Sequence, residues 1–402
     1  MSGSLGDRLR SVEVPDEDAA RERARAVARA AFDARERRPA PSLFRRPAVP
    51  AFATAALALL LLSFTSPGKA VINSVRDTLG RTDVRHVQRA ALERLPAPGS
   101  LLVRSPEGPW VVRADGSRRL LGAYLDATWS PQGRFVGVTR QNALLAVEPG
   151  GRVHWSLARP RVSDPRWAPT GFRVAYRSGP VVRVVAGDGT GDRSLGRGGA
   201  AAWQPLAPGL SPLAAQKIRS VPNLLAVAGA GSRVRLLDVD TRRPAWTSPP
   251  LPPRPRTLSW SGDGQRLLVA TGRALVLLDG AGRVVRRIAA RGRATLAAAA
   301  FAPAGRRIAV VRRRGGASEL ALIEGGRERL LFAGAGQLGG VTWSPDGRWL
   351  LVAWPTADEF LFVRTSGPAR VEAAQGVAGE FDPRATGVAG DPLPAGWCCT
   401  TR

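Results

Sequence analysis

One short pattern returns along most of the 402-residue chain and constrains its fold more than any other feature. Five complete copies have an aromatic residue, a small or polar residue, Pro or Gly, one further residue, and then Gly, and two decayed copies, at Trp203 and Phe381, keep the aromatic residue and the Pro. Successive copies lie 38, 36, 57, 41, 42 and 38 residues apart, and this near-constant period is typical of architectures that repeat one small structural unit. The lead aromatic residues are Trp129, Trp167, Trp203, Trp260, Phe301, Trp343 and Phe381.

The residues that follow each lead aromatic favour a tight turn. Pro near the start and Gly at the end favour a type I turn, which closes a hairpin between two strands. The aromatic side chain just before the turn can pack between neighbouring sheets. The motif residues that carry this prediction are Trp129, Pro131, Gly133, Trp167, Pro169, Gly171, Trp203, Trp260, Gly264, Phe301, Pro303, Gly305, Trp343, Pro345, Asp346, Gly347, Phe381 and Pro383.

Each motif is followed by the same succession of short β-rich runs. In the Trp167 copy these runs are Phe172–Tyr176 and Val181–Val185, and a Gly-containing turn and a third run follow them. The 57-residue interval contains Pro205–Val221, which is rich in Pro, Ala and Leu and is predicted to be an inserted loop. A four-stranded unit of about 40 residues cannot bury both faces alone, whereas radial stacking buries them. The sequence therefore predicts an all-β fold, a β-propeller.

The two ends of the repeat region indicate how many blades there are. Leu101–Arg104, Trp110–Arg113 and Arg118–Leu121 supply three strands with no preceding motif, and Val377–Pro383 supplies a motif with no following strands. If these ends pair, they complete one blade, and the seven motifs give seven blades. Six blades are the alternative, if the segment around Trp203 forms none.

The motif Trp343–Gly347, Trp-Ser-Pro-Asp-Gly followed by a hydrophobic strand, resembles the TolB-like repeats, which are relatives of the WD-repeat propellers. The resemblance covers about Gly99 to Pro383. The WD dipeptide is absent, so the chain is similar to the TolB-like branch. This resemblance implies an extracytoplasmic propeller that binds proteins or envelope components, and it implies no reaction.

An uncharged segment of 22 residues, Pro47 to Gly68, is long enough to span a bilayer as a helix. A signal peptide is the alternative, but a 46-residue arm precedes the segment and no Ala-x-Ala cleavage site follows it. Arginines crowd the N-terminal flank, whereas Lys69 and Arg76 are sparser on the other side. The positive-inside rule then places the N-terminus in the cytoplasm and the propeller outside the cytoplasmic membrane.

Five regions follow from these observations. We predict a cytoplasmic helical arm at residues 1–46, a transmembrane helix at 47–68 and a juxtamembrane helical stalk at 69–98. The propeller is predicted at 99–385 and a C-terminal tail at 386–402.

The chain is strongly basic, with 59 Lys and Arg against 32 Asp and Glu and a formal net charge of +27. Nearly all of the cations are arginines, whose guanidinium groups suit phosphate and carboxylate partners. Arginine-rich composition can also reflect GC-rich codons. With the propeller outside the membrane, nucleic acid is excluded as a partner, although an inverted topology would restore it.

The residues that carry most metal and redox chemistry are scarce. The chain has two histidines, His86 and His154, and two cysteines, which excludes zinc fingers, iron–sulfur sites and His-based zinc hydrolases. No Gly-x-Ser-x-Gly nucleophile elbow occurs, so we predict no catalytic, cofactor or metal site. The adjacent Cys398 and Cys399 can form a vicinal disulfide, bridge to another chain or remain thiols.

Three functions are consistent with this sequence. The leading hypothesis is a binding module for a protein, peptide or anionic envelope component, with exposed arginines such as Arg312, Arg313 and Arg314 contributing. The alternative is a transmembrane sensor whose arm, with a helix at Asp16–Arg38, binds a cytoplasmic partner such as a sigma factor. That arrangement resembles membrane-bound anti-sigma factors, but the zinc-binding residues common in that family are absent. A third hypothesis is an enzyme, such as a hydrolase or lyase in the central channel, and carboxylates clustered at the channel mouth would favour it.

Overall fold

The computed structural model describes residues 85–89, 91–218, 221–290, 292–382 and 390–399. The predicted cytoplasmic arm and the predicted transmembrane helix lie outside these residues. Among the residues that are described, no helix is both long enough and apolar enough to cross a membrane.

The described chain is built almost entirely from short strands. Two short helices, α1 (Pro212–Lys217) and α2 (Val377–Phe381), and two 3-10 turns, Ala230–Ser232 and Pro355–Ala357, interrupt them. In chain order, the strands are β1 (Arg85–Arg89), β2 (Ser100–Ser105), β3 (Gly108–Val112), β4 (Arg118–Leu120), β5 (Asp126–Trp129), β6 (Val136–Arg140), β7 (Ala143–Val147), β8 (Val153–Ala158), β9 (Val162–Trp167), β10 (Arg173–Ser178), β11 (Val181–Ala186), β12 (Arg193–Arg197), β13 (Ala201–Trp203), β14 (Leu224–Ala228), β15 (Val234–Asp238), β16 (Pro244–Thr247), β17 (Thr257–Trp260), β18 (Arg266–Ala270), β19 (Ala274–Asp279), β20 (Val284–Ala289), β21 (Thr295–Phe301), β22 (Ile308–Arg314), β23 (Ala317–Glu324), β24 (Arg327–Ala335), β25 (Gly339–Trp343), β26 (Trp349–Trp354), β27 (Glu359–Arg364), β28 (Arg370–Gln375) and β29 (Leu393–Cys398).

The strands form seven sheets, which are the blades of a propeller. From the inner to the outer strand, blades 1 to 6 are β5–β8, β9–β12, β13–β16, β17–β20, β21–β24 and β25–β28, and blade 7 is β29 followed by β2–β4. The inner strands contact one another around a closed ring, from β5 through β9, β13, β17, β21, β25 and β29 back to β5. The seven-bladed prediction is confirmed. The six-bladed alternative is wrong, because the segment ending at Trp203 forms the inner strand of blade 3.

The core lies between the faces of adjacent blades. Because each sheet has a neighbour on both sides, its central strands are apolar on both faces, and all six residues of β26 are buried. Between blades 5 and 6, Leu320 and Leu350 are fully buried in one cluster with Trp343. Truncating such a leucine to alanine typically costs about 2–5 kcal/mol, so each inter-blade cluster holds its two blades together.

The ring closes through a different segment from the one that the motif spacing predicts. The inner strand of blade 7 is β29, in which Trp397 pairs with Leu101 of β2. Phe381 instead ends helix α2, where it is fully buried and its ring lies 5.9 Å from the ring of Trp110. Pro383 lies outside the described residues. The propeller therefore extends beyond the predicted boundary at residue 385, and the predicted tail, 386–402, contains its closing strand.

The predicted helical stalk also differs from the structure. Arg85–Arg89 is a strand that pairs in parallel with β28 and adds a fifth strand to the outer edge of blade 6. Arg89 forms an ion pair of 2.5 Å with Glu372, which is almost fully buried, and the following Leu92 and Leu95 are buried in the core. The open edge of β28 and the buried carboxylate outweigh the helical periodicity of this segment.

Candidate functional site

The seven inner strands all run in one direction along the central channel, because each is the first strand of its blade in the repeat. The motif turns that follow these strands therefore gather at one end of the channel, which we call the turn face. The starts of the same strands gather at the other end, which we call the mouth face.

On the turn face, the predicted motif residues form hairpin turns around the ring. In blade 1, the amide of Gly133 donates to the carbonyl of Ser130 at 2.9 Å, and Ser130 N donates to the carbonyl of Phe135. The last Gly of each complete motif has a positive φ, which a side chain would strain. These values are 70° at Gly133, 82° at Gly171, 67° at Gly264, 73° at Gly305 and 66° at Gly347.

Three motif tryptophans link their blade to the preceding one. Their indole Nε1 groups donate to inner-strand carbonyls, from Trp203 to Arg166 at 2.8 Å, from Trp260 to Ala202 at 3.2 Å and from Trp343 to Ala300 at 3.2 Å. Trp167 bonds within its own turn, and the Nε1 of Trp129 has no acceptor among the described residues. The motif residues are thus distributed around the ring as blade-to-blade contacts and are not brought together into one site.

The two cysteines lie at the end of β29, where other blades have the motif turn. Cys398 and Cys399 form a disulfide with each other. The sulfur of Cys398 lies 3.6 Å from the carbonyl oxygen of Ser130, and that of Cys399 lies 3.3 Å from the carbonyl oxygen of Pro131. The disulfide therefore rests on the motif turn of blade 1, at the seam where the ring closes.

The mouth face is concave and rich in arginine. One cavity of about 760 Å³ lies among blades 5, 6, 7 and 1, and its lining includes Arg104, Arg313 and Asp391. Leu125, also in this lining, is 60% exposed. The guanidinium of Arg313 donates to the carbonyl of Leu338 at 2.6 Å and 3.0 Å, which holds it in place.

Asp126, the first residue of β5, lies beside this cavity. Its carboxylate accepts a hydrogen bond of 2.9 Å from the amide of Ala127 and lies 3.7 Å from the guanidinium of Arg104. Burial raises the pKa of Asp126, and the opposing effect of Arg104 and Arg166 does not cancel it. A second carboxylate, Asp164, adds to this rise in pKa because its negative charge is close.

A second mouth-face cavity of about 240 Å³, which we call the blade 2–4 pocket, lies among the inner strands of those blades. Asp164, Arg166, Arg177 and Arg256 are its charged lining residues. Asp164 accepts a hydrogen bond of 3.1 Å from Arg177. These charged side chains come from blade 2 and from the segment before the inner strand of blade 4, and blade 3 contributes residues 199–201, so the packing of three neighbouring blades forms the pocket.

A β-bulge orients two of these side chains. Along β9, Asp164 and Pro165 together face the single residue Tyr176 of β10, because the register shifts between Arg166 and Ser163. Asp164 has a φ of 52°, a conformation that Asp tolerates better than most residues, and Pro165 has no amide to donate to the ladder. Bulges re-aim side chains next to functional sites, and Asp164 and Arg166, on either side of Pro165, both line the blade 2–4 pocket.

The arginine run expected at the surface is divided between three environments. Arg312 is buried and forms an ion pair with Glu328, so the expectation that it is exposed is wrong. Arg313 lines the larger mouth cavity, and Arg314 is exposed. Position along the strand explains why Arg312 is buried and Arg314 is exposed. Arg312 lies within β22, paired with Glu319 of β23, whereas Arg314 is the last residue of β22.

No group of three or more His, Cys, Asp and Glu side chains within the described ranges is arranged to hold a metal ion. His154 is exposed, and its ring stacks on that of Phe135 with centroids 4.8 Å apart. His86 lies in β1, and its side chain is outside the described set.

Of the charged mouth-face residues, sequence reasoning named only Arg313, although one further signal was present. Asp126 and Asp164 each lie three positions before the lead tryptophan of their motif, at Trp129 and Trp167. That position is the first residue of β5 and the third of β9, so in both blades it lies in the mouth half of the inner strand. The arginines around them follow no shared spacing, because Arg177 is the second-last residue of β10 and Arg256 comes just before β17.

No protein-family model matches the chain, and no curated protein matches it either. Among solved structures, the hydrazine synthase of Kuenenia stuttgartiensis is similar, with a TM-score of 0.47 and 16% sequence identity. The alignment covers 67% of this chain and 78% of that one. Similarity at this level carries no argument about function.

Proposed function

We propose that this chain is a non-catalytic binding module whose mouth face recognises an acidic protein, peptide or anionic envelope component. The β-propeller fold, which commonly serves as a protein-binding module, is the framework for this proposal. The finer features, an anchor in the cytoplasmic membrane at residues 47–68 and a propeller on its outer side, rest on the uncharged segment and its arginine-rich flank.

The observation that carries the proposal is the charge of the mouth face. The two cavities together are lined by five arginines and two aspartates, namely Arg104, Arg313, Arg166, Arg177, Arg256, Asp391 and Asp164. Arginines around a concave surface attract carboxylate and phosphate groups, and the closed ring of strands fixes the backbone that carries them. We therefore propose recognition, with no reaction, at this face.

Site-specific photocrosslinking in cells tests the location of the binding face. A photoreactive residue at Leu125, in the mouth, should form adducts with a partner. The same residue at Val285, on the outer strand β20, is the matched control, because its side chain is 47% exposed and Leu125 is 60% exposed. Equal adducts at both positions, or none at Leu125, would contradict the proposal.

Protease protection tests the proposed topology separately. With tags at both termini, digestion of intact cells stripped of their outer layers should remove the C-terminal tag and spare the N-terminal one. The reverse result would place the propeller in the cytoplasm, and anionic cytoplasmic partners would then replace envelope ligands.

A further inference from the structure

The blade 2–4 pocket has a surplus of positive charge that its own residues do not neutralise. Arg166, Arg177 and Arg256 line it together with one carboxylate, that of Asp164, which contacts Arg177. Arg166 and Arg256 are exposed, and neither forms an ion pair with any residue that the structure describes. By formal charge the lining residues therefore carry a surplus of two positive charges, and the neighbouring carboxylate of Asp126, whose charge also acts on Arg166, offsets part of it.

Arg177 is held in place but is not fully satisfied. Its two terminal nitrogens donate to Asp164 at 3.1 Å and to the carbonyl of Gly179 at 3.0 Å. Its Nε is buried and has no acceptor among the described residues. A buried guanidinium N–H without an acceptor is costly, so the two hydrogen bonds of the terminal nitrogens are what hold Arg177 at the pocket wall.

The backbone positions of the other two arginines are constrained before any ligand arrives. Arg166 follows the β9 bulge, and its carbonyl accepts the hydrogen bond from Trp203 of blade 3. The amide of Arg256 donates to the carbonyl of Ala270 at 2.8 Å. The guanidinium of Arg256 lies close to Gly272, since a Cβ atom added to Gly272 would be 3.5 Å from Cζ of Arg256. The backbone of both arginines is thus fixed, and the side chain of Arg256 also has a neighbour that restricts it, which reduces the entropy lost when a ligand binds.

The remaining lining gives the pocket an apolar wall. Tyr176, Val182 and Leu258 are buried and contribute carbon atoms to the cavity, whose volume is about 240 Å³. Such a site can take a small charged group with a short carbon stem, but not a folded segment. An apolar wall also strengthens charge-assisted hydrogen bonds, because it lowers the local dielectric constant.

We infer that the blade 2–4 pocket binds a dianionic oxygen group, either a phosphate monoester or a pair of neighbouring carboxylates, on the ligand of the mouth face. Two negative charges match the surplus on the arginines, and both groups accept the paired hydrogen bonds that guanidinium groups donate. This inference deepens the proposed function and rests on it, since it names the chemical group that the binding face recognises.

The test is calorimetric titration of the full-length chain in detergent micelles at low ionic strength. Inorganic phosphate and succinate are the two dianion probes, and acetate at matched ionic strength is the monoanion control. We expect saturable binding of at least one dianion. Phosphate alone would identify a phosphate ester as the natural group, and succinate alone would identify paired carboxylates. Saturable binding of neither dianion, or binding no tighter than acetate, overturns the inference.

Two substitutions localise the binding. Arg166→Gln and Arg256→Gln should each weaken dianion binding about tenfold or more, because each removes a charge-assisted hydrogen bond. Arg287→Gln is the matched control, since it removes the same charge from the exposed outer strand of the blade that holds Arg256. Equal losses in all three variants would show a nonspecific effect of net charge and would overturn the assignment to this pocket.

The two levels of the proposal can fail separately. Dianion binding without adducts at Leu125 would leave a small-molecule pocket and reject the partner-binding face. Adducts at Leu125 without dianion binding would keep the binding face and reject this pocket as its anion site.

Discussion

The hydroxyl of Tyr176 donates a hydrogen bond of 2.6 Å to the carboxylate of Asp192, which is only 4% exposed between blades 1 and 2. Arg183 of blade 2 and Arg159, which follows the outer strand of blade 1, approach the same carboxylate at 2.6 and 2.7 Å. Burial acts to raise the pKa of Asp192, but hydrogen bonds from Arg183, Tyr176 and Arg159 outweigh it and lower the pKa. Burial and the neighbouring carboxylate raise the pKa of Tyr176.

Asp192→Asn should destabilise the propeller by roughly 2–4 kcal/mol, because it leaves two partly buried guanidinium groups without their anion. Urea unfolding followed by circular dichroism measures the change. Asp188→Asn is the control on the same hairpin, since Asp188 is exposed and bonds only to Thr190. An equal loss of stability in both variants would contradict the role given to Asp192.

Glu359 predicts a pH dependence of stability. It is 5% exposed, and burial raises its pKa more than the hydrogen bond from Gln375 lowers it. Because the folded protein holds the Glu359 proton more tightly than the unfolded chain does, protonation of Glu359 stabilises the fold. This contribution is complete below the unfolded-state pKa of about 4.5 and is lost as the pH rises through the higher pKa of the folded state. Glu359→Gln should therefore gain stability relative to the wild type between pH 4 and pH 7, whereas Glu319→Gln, at an exposed site, should not. Thermal unfolding across this range measures the difference, and a constant offset would contradict it.

The tryptophan bonds between blades can be tested with a matched pair. Trp343→Phe removes the indole donor to Ala300 and should cost about 1 kcal/mol beyond the loss of ring volume. Trp129→Phe removes a similar volume. Because the Nε1 of Trp129 has no acceptor among the described residues, this variant should not show the cost of a lost hydrogen bond. Comparison of the two urea midpoints checks this. Identical shifts would show that the hydrogen bond contributes nothing.

The closing strand should matter far more than the disulfide at its end. A disulfide between adjacent residues closes the shortest of loops, so replacing Cys398 and Cys399 by Ser should lower the melting temperature by only a few degrees. Ending the chain after Asp391 removes β29, exposes the edge of β2 and removes the buried Trp397 from the core. We expect the truncated chain to lose its cooperative thermal transition. A folded truncation, or an unfolded double-serine variant, would reverse this order.

The sequence predicted the blades well because their signals are local. Each complete motif combines an aromatic residue with a tight turn within five residues, and the predicted strands Leu101–Arg104 and Trp110–Arg113 overlap β2 and β3. Such patterns depend on backbone preferences and on burial in every blade, so they recur wherever a blade forms.

The closing strand and the segment before the ring were less predictable because both depend on distant partners. The closing inner strand ends in Trp397-Cys-Cys, which lacks the Pro and Gly of the motif, whereas Phe381 falls near the expected interval. β1 pairs with the free edge of β28, which is distant in sequence, so the residues near Arg89 do not by themselves predict a strand. The mouth-face arginines likewise come from separate blades, so their proximity is a property of the closed ring.

The closure of blade 7 also has a consequence for biosynthesis. Strand β2 is translated nearly 300 residues before β29, its partner at the inner edge. Until β29 leaves the ribosome, six blades are complete and the ring stays open, with the inner edge of β2 unpaired. A nascent chain paused before Leu393 should therefore need protection of that edge from other strands, and a chaperone that binds extended segments would act at this stage.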